Sequence, residues 1–263
     1  MKLRVSLVNY LNAQPLGWAF LRGPFRGRYD ILPASPARCA DLLSEGSADV
    51  GLIPSIEYQR IPGLVVLPGM SIAAQNRVRS ILLVRRDSRA EVRSVALDHN
   101  SRTSAALLRL LLRHRMDLCP DFIPLQPDLA EMLRQCDAAL VIGDAALQAP
   151  EGAYHVTDLG QMWREWQGKP FVFAFWACRD RSGLPADLGE VFLQAKRWGL
   201  DRLEEIALEY SGRLGIPAEA LHDYLRCNID YDLNSEHIEG LNTYYRLAHE
   251  AGLVKSLRPI VFI

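Results

Sequence analysis

Short apolar runs alternate with segments of helical periodicity over the first fifty residues. A period of two or a continuous apolar run predicts strands, and apolar residues spaced three or four apart predict helices. Ser35 and Pro36 are typical of a helix start, and Gly46 of a helix end. The predicted strands are 3–8, 30–33 and 48–54, and the predicted helices are 15–21 and 36–45. This β-α-β-α-β order favours a parallel sheet covered by helices.

A second series of the same kind begins near Val95. A strand-like run at 78–86 precedes it, and the apolar strand 171–177 is suited to carry the chain back. The other predicted elements are a helix at 101–115, a strand at 137–144, and helices at 201–214, 217–226 and 235–251. We therefore expect two α/β lobes joined by two crossings, with lobe 1 formed by 1–87 plus 177–263 and lobe 2 by 88–176. This is the layout of a type II periplasmic-binding-protein-like fold, with a ligand cleft between the lobes.

Composition narrows the class of ligand. The 263 residues carry 30 Lys and Arg against 31 Asp and Glu, a formal charge of −1, without the basic excess typical of nucleic-acid binders. No apolar run is long enough to span a membrane, and the amino terminus lacks a signal-peptide core. We expect a cytoplasmic protein with a small-molecule partner.

Signatures of nucleotide, zinc-peptidase and α/β-hydrolase sites are missing, and the five cysteines and six histidines show no metal-ligand spacing. We therefore predict no metal site. What remains is a polar cluster at each of three strand-to-helix junctions, where unpaired backbone N–H groups attract anions. These clusters are 10–16, Ile53–Tyr58 and Asn100–Ser104. Ser55, Ser101 and Thr103 serve there either as helix caps or as ligand contacts.

Arg102, in the third cluster, and four positions outside the clusters are candidates for ligand contact. Arg102 is suited to clamp a carboxylate, and Ser80 is a polar residue inside an apolar strand. Gly143 permits close backbone approach, and Asp144 acts either as a helix cap or as an acid or base. The aromatic segment that contains Trp176 is mostly core, but one of its rings is expected to contact a cyclic ligand.

Five blocks together resemble one family, the chorismate dehydratases of the futalosine route to menaquinone. In chain order, the blocks are Tyr10-Leu11-Asn12-x-x-Pro15-Leu16, Gly51-Leu52-Ile53-Pro54-Ser55-x-Glu57-Tyr58, Asp98-x-x-Ser101-Arg102-Thr103-Ser104, Ile142-Gly143-Asp144-Ala145 and Lys169-Pro170-Phe171-Val172-Phe173-Ala174-x-Trp176. The resemblance implies a periplasmic-binding-protein-like fold used as an enzyme. That enzyme removes water from chorismate without a cofactor and gives 3-[(1-carboxyvinyl)oxy]benzoate.

The resemblance also implies roles for individual residues. Asn12 and Ser80 are expected to act near the reacting ring, although Gln75-Asn76-Arg77 stands where the family often has glycine before Val-x-Ser. The residues implied to hold the substrate carboxylates are Ser55, Ser101, Arg102, Thr103 and Ser104. For the proton acceptor we favour the enolpyruvyl carboxylate of the substrate, with Asp144 as the protein alternative.

Two other functions are compatible with the same fold. One is 1,4-dihydroxy-6-naphthoate synthase, a sister enzyme of the same route that is expected to use a histidine base; the Ser-Arg-Thr-Ser block argues against it. The other is a non-catalytic binding protein for a small organic anion, which the expected cytoplasmic location disfavours.

Overall fold

The computed structural model describes residues 2–87, 91–150, 152–179 and 184–263. The strands are β1 (Arg4–Val8), β2 (Asp30–Ala34), β3 (Val50–Pro54), β4 (Leu64–Ala74), β5 (Ile81–Arg85), β6 (Ser94–Asp98), β7 (Asp121–Leu125), β8 (Ala138–Ile142), β9 (His155–Asp158) and β10 (Phe171–Arg179). The helices are α1 (Gln14–Leu21), α2 (Pro36–Glu45), α3 (Glu57–Arg60), α4 (Thr103–Arg115), α5 (Leu129–Gln135), α6 (Gly143–Leu147), α7 (Leu159–Gln167), α8 (Leu188–Leu200), α9 (Leu203–Leu214), α10 (Ala218–Cys227) and α11 (Ser235–Glu250). A 3₁₀ turn, Leu11–Ala13, precedes α1.

Two five-stranded sheets of similar topology form the two lobes. The order is β2-β1-β3-β10-β4 in the first sheet and β7-β6-β8-β5-β9 in the second. In each sheet four of the five strands point the same way, and the remaining strand, β10 or β5, runs antiparallel to both of its neighbours. The expected two-lobed α/β architecture is confirmed. From here on, lobe 1 is the part of the protein around the first sheet, together with the carboxyl-terminal helices. Lobe 2 is the part around the second sheet.

Strand pairing moves both expected crossings toward the amino terminus. β5 pairs with β8 and β9 in the second sheet, whereas the expected limit at residue 87 assigns it to lobe 1. All of β10 pairs in the first sheet, whereas the expected limit at 176 assigns most of it to lobe 2. The reason is physical: β5 and β10 are the strands on which the chain arrives, and each forms ladder hydrogen bonds with the sheet that it enters. Residues 88–90, beside the expected first crossing, lie outside the described ranges.

The predicted strand 78–86 starts later than its apolar pattern suggests. Arg79 adopts φ +61°, a left-handed conformation that a regular strand does not contain. The Asp158 carboxylate accepts hydrogen bonds from the Val78 and Arg79 amides and holds this turn. Ser80 therefore precedes β5 and is not inside a strand.

Apolar packing joins the two lobes. A single connected cluster of buried side chains runs from Val5 in β1 through Trp176 in β10 to Leu107 in α4 and Leu140 in β8. Large aromatic side chains each bury extensive apolar area, and three tryptophans are almost fully enclosed. None of the helices in the described part of the chain has the length and hydropathy that a bilayer crossing needs.

Candidate functional site

A cavity lies between the lobes, where parallel strands of both sheets end. About 50 Å³ of this cavity is wide enough for water-sized molecules, so in this arrangement of the lobes the cleft is narrower than the usual range of small-ligand sites. Lobe 1 contributes residues at the ends of β1 and β3 and from β10, and lobe 2 contributes the segments after β6 and β8. The lining residues are Val8, Tyr10, Asn12, Pro36, Pro54, Ile72, Ile81, Asn100, Ser101, Arg102, Thr103, Ser104, Ile142, Gly143, Phe173 and Ala174.

The amino terminus of α4 forms one wall of the cavity. This helix of 13 residues has no side-chain cap and no acidic residue in its first turn, so Ser101 and Thr103 are not its caps. Its free N–H groups and its dipole favour a negative charge in front of the helix. Ser101 Oγ is buried and has no hydrogen-bond partner among the described residues. These features suit a carboxylate.

Thr103 and Ser55 connect the lobes. Thr103 Oγ1 accepts a hydrogen bond from the Ile56 amide at 3.2 Å and lies 3.4 Å from Ser55 Oγ. The Ser55 hydroxyl donates to the Val172 carbonyl at 2.8 Å, and Ser55 is fully buried. Ser55 therefore does not line the cavity; in this closed arrangement it supports the residues that do.

Arg102 also bridges the lobes, through charge. Its Nη2 lies 2.7 Å from an Asp41 oxygen and its Nη1 3.0 Å from a Glu57 oxygen, and both carboxylates belong to lobe 1. Glu57 is buried and is shared with Arg60 at 2.8 Å. The guanidinium of the expected carboxylate clamp is thus engaged by two protein carboxylates. We call these contacts the inter-lobe ion pairs.

Asn12 lines the cavity, whereas Ser80 lies just behind the lining. Asn12 is in the 3₁₀ turn after β1, and the Tyr231 hydroxyl donates to its carbonyl at 3.1 Å. Ser80 is fully buried, and the Tyr224 hydroxyl donates to its Oγ at 2.7 Å. The structure brings these two distant sequence positions to the same end of the cleft.

Gly143 and Asp144 form the turn from β8 into α6. Gly143 has φ +61°, and a Cβ there would lie 2.4 Å from the Tyr10 ring, so the residue permits a close approach of the two lobes. The Asp144 carboxylate accepts a hydrogen bond from the Leu11 amide at 2.9 Å and does not cap the helix. Burial raises the pKa of Asp144 to about 6, against the opposing effect of the Leu11 hydrogen bond. Asp144 is not among the lining residues of the cavity.

The aromatic residues that line the cavity do not include Trp176, the residue expected from the sequence. Trp176 is fully buried and packs edge-on against Phe192 at 4.9 Å, within the core of lobe 1. Phe173, three residues earlier on β10, lines the cavity instead. Tyr10, after β1, provides the second ring.

Sequence reasoning did not single out Asp98 or Tyr224. Asp98, at the end of β6, is almost fully buried, and its Oδ1 accepts a hydrogen bond from the Asn100 amide at 2.9 Å. Its Oδ2 has no hydrogen-bond partner among the described residues, and burial raises the pKa of its carboxyl. The signal for Asp98 was its place at the head of a motif block; Tyr224 gave none, because its pattern is that of an ordinary core tyrosine. The described residues contain no group of three His, Cys, Asp or Glu side chains placed to hold a metal ion.

Comparison with known proteins adds two findings on sequence. A family model described as menaquinone biosynthesis matches residues 3–250. Chorismate dehydratase from Thermus thermophilus is 33% identical over 258 residues, which cover 91% of this chain and 93% of that protein.

Solved structures resemble the fold. A protein from Archaeoglobus fulgidus matches with a TM-score of 0.77 at 17% identity, covering 96% of this chain and 98% of its own. The periplasmic aliphatic sulphonate binding protein of Escherichia coli matches with a TM-score of 0.64 at 18% identity, covering 100% and 94%. The match to the sulphonate binding protein confirms the periplasmic-binding-protein-like fold.

Proposed function

The chain belongs to the menaquinone-biosynthesis family, and from this premise we propose that it is a chorismate dehydratase, which converts chorismate to 3-[(1-carboxyvinyl)oxy]benzoate and water. The observation that carries the proposal is the similarity to the Thermus enzyme over nearly the whole of both chains. The inter-lobe cavity, with a helix amino terminus facing it, supports the proposal because chorismate carries two carboxylates.

The reaction needs little from the protein beyond binding and proton transfer. Loss of the C4 hydroxyl and the C3 proton turns the cyclohexadiene of chorismate into a benzene ring, so the driving force lies in the substrate. The enzyme is then a hydro-lyase that requires no cofactor, and its main task is to hold the substrate in a reactive orientation.

The amino terminus of α4 provides electrostatic stabilisation of the negative charge that develops during the elimination. The ring carboxylate of chorismate is conjugated through the diene to the carbon that loses its proton, so negative charge develops on that carboxylate. Donors fixed in advance around it lower the barrier of a stepwise, carbanion-like elimination. The backbone amides of the first turn of α4 and the unpartnered Ser101 hydroxyl are suited to this task.

For the proton acceptor we propose the enolpyruvyl carboxylate of the substrate itself, positioned with the help of the Asn12 amide. Asp144 is the protein alternative, but its carboxylate is engaged by the Leu11 amide and lies outside the cavity lining. The Asp144→Asn variant separates the two: the substrate-assisted step predicts retained turnover, and near-complete loss of turnover with unchanged binding would contradict it.

The test of the function is incubation of the purified protein with chorismate, followed by mass spectrometry of the products. A dehydratase yields one product lighter by a single water molecule. Unchanged chorismate together with a raised melting temperature would instead indicate a binding protein, and would refute the proposal.

A further inference from the structure

Two candidate catalytic residues from different parts of the chain meet at one buried tyrosine. Tyr224, on α10, is 1% exposed, and its hydroxyl donates to Ser80 Oγ at 2.7 Å. Burial raises the pKa of Tyr224 far above the ordinary tyrosine value, while hydrogen bonds with Ser80 and Asn12 oppose this rise. The phenol therefore stays protonated at neutral pH and acts as a permanent hydrogen-bond donor.

The hydrogen bond from Tyr224 restricts the direction in which the Ser80 hydroxyl can donate its own proton. A serine hydroxyl rotates freely and can donate one hydrogen bond while accepting two. Because Tyr224 occupies an acceptor position of Ser80 Oγ, the Ser80 proton must point away from Tyr224. Its acceptor within the protein, the Val78 carbonyl, lies 3.5 Å away, at the limit of a hydrogen bond. The Ser80 proton is thus only weakly held by the protein, on the residue next to Ile81 of the cavity lining.

Backbone contacts fix the same corner of the cleft. The Ser80 carbonyl accepts a hydrogen bond from the Gly143 amide at 2.8 Å, which ties Ser80 to the turn that lines the cavity. On the lobe 1 side, the Tyr231 hydroxyl holds the Asn12 carbonyl at 3.1 Å. Tyr224 and Tyr231 lie on and just after α10, so one segment of the chain supports both candidate residues.

We propose that Tyr224 is a positioning residue for the dehydration, whose phenol orients the Ser80 hydroxyl as a hydrogen-bond donor toward the substrate. The proposal rests on the proposed function. It assigns a kinetic role to a residue that does not line the cavity and is fully surrounded by protein.

The test compares steady-state turnover of chorismate by the wild-type protein and by Tyr224→Phe, which removes one oxygen and keeps the ring. Loss of a single orienting hydrogen bond of ordinary strength predicts a kcat about 10-fold lower. KM is expected to stay within about 2-fold, because the carboxylate site on α4 is untouched.

Tyr29→Phe is the matched control. Tyr29 is 6% exposed, and its ring packs edge-on against Phe20 at 5.3 Å and Phe192 at 5.8 Å in the core of lobe 1, outside the cavity lining. It is expected to leave kcat unchanged. The general effect of removing a buried tyrosine hydroxyl is thereby separated from loss of positioning.

A double-mutant cycle with Ser80→Ala completes the test. If Tyr224 acts through Ser80, Tyr224→Phe has little further effect on kcat in the Ser80→Ala background. An undiminished effect there, a wild-type kcat for Tyr224→Phe, or a wild-type kcat for Ser80→Ala would each overturn the proposal while leaving the dehydratase function intact. Ser80→Ala also serves alone if Tyr224→Phe is too unstable to assay. A wild-type protein that leaves chorismate unchanged would overturn both.

Discussion

Two alternative roles of Arg102 predict opposite changes of KM for chorismate when one of the inter-lobe ion pairs is removed. Asp41→Asn removes the carboxylate 2.7 Å from Arg102 Nη2 and leaves the Glu57 pair in place. If Arg102 stabilises the closed arrangement of the lobes, the variant closes less readily and KM for chorismate rises. If Arg102 instead grips a substrate carboxylate, loss of its competitor Asp41 frees the guanidinium and removes a negative charge near a dianionic substrate. KM then falls.

The magnitude follows from the exposure of the pair. The Arg102 and Asp41 side chains are 28% and 39% exposed, so solvent screens their interaction and its contribution is about 1 kcal/mol. A closed state that is destabilised by this amount raises KM about 5-fold, since 1.4 kcal/mol corresponds to a factor of about 10. At saturating chorismate the substrate drives closure, so kcat is expected to change little.

Steady-state kinetics with chorismate measure both constants, and Glu45→Gln provides the control. Glu45 lies on the same helix as Asp41, pairs with Arg38 at 2.9 Å within lobe 1, and undergoes the same change of charge. It should leave KM within about 2-fold of wild type, as expected for an exposed surface pair. A KM for Asp41→Asn that is lower than that of wild type would refute the inter-lobe role of Arg102.

Three further predictions follow from single positions. Gly143→Ala places a Cβ 2.4 Å from the Tyr10 ring and should lower kcat/KM at least about 10-fold. The control Gly63→Ala has the same left-handed strain but no atom within 4 Å of the new Cβ, so it should lower stability only, and equal kinetics for both variants would contradict this. Because the folded-state pKa of Asp144 is raised from 3.8 to about 6, the folded protein gains stability from this group as pH falls through 6 toward 4. Urea unfolding should therefore show that Asp144→Asn is more stable than wild type by up to about 3 kcal/mol at pH 7.5 and equally stable near pH 4. A difference in stability that does not change with pH would contradict this. Trp176→Phe should lower the melting temperature but leave KM within about 2-fold, because the indole lies in the core of lobe 1; a large rise in KM would show that this ring reaches the substrate.

The elements that the sequence predicts well are those whose signals are local. The helix at Pro36 has its capping serine, its proline in the first turn and its terminal glycine within twelve residues, and it forms as expected. β4 has no such clear pattern, since Pro68 and Gly69 interrupt its apolar run, and it becomes a strand through pairing with β10. Pairing of this kind joins distant segments, so a single-sequence pattern does not contain it.

Among the site residues too, those with local signals are predicted well and those that depend on distant segments are not. The cluster Asn100–Ser104 lines the cavity because strand ends and helix starts meet there in every fold of this class. The partners of Arg102 are Asp41 and Glu57, two carboxylates from distant segments of the chain that only the closed fold brings within reach. Trp176 was misplaced for a simpler reason: a strand faces alternate sides, and which side meets the cleft depends on register.

The most direct test of dehydration in the inter-lobe cavity is product analysis by mass spectrometry with chorismate, run in parallel on the wild-type protein and on Asn12→Ala. Asn12 is the candidate catalytic side chain that itself lines the cavity. We predict that the wild-type protein converts chorismate to a product lighter by one water, and that folded Asn12→Ala leaves chorismate essentially unchanged. Intact chorismate with the wild-type protein would contradict the function, and wild-type turnover by Asn12→Ala would contradict the site.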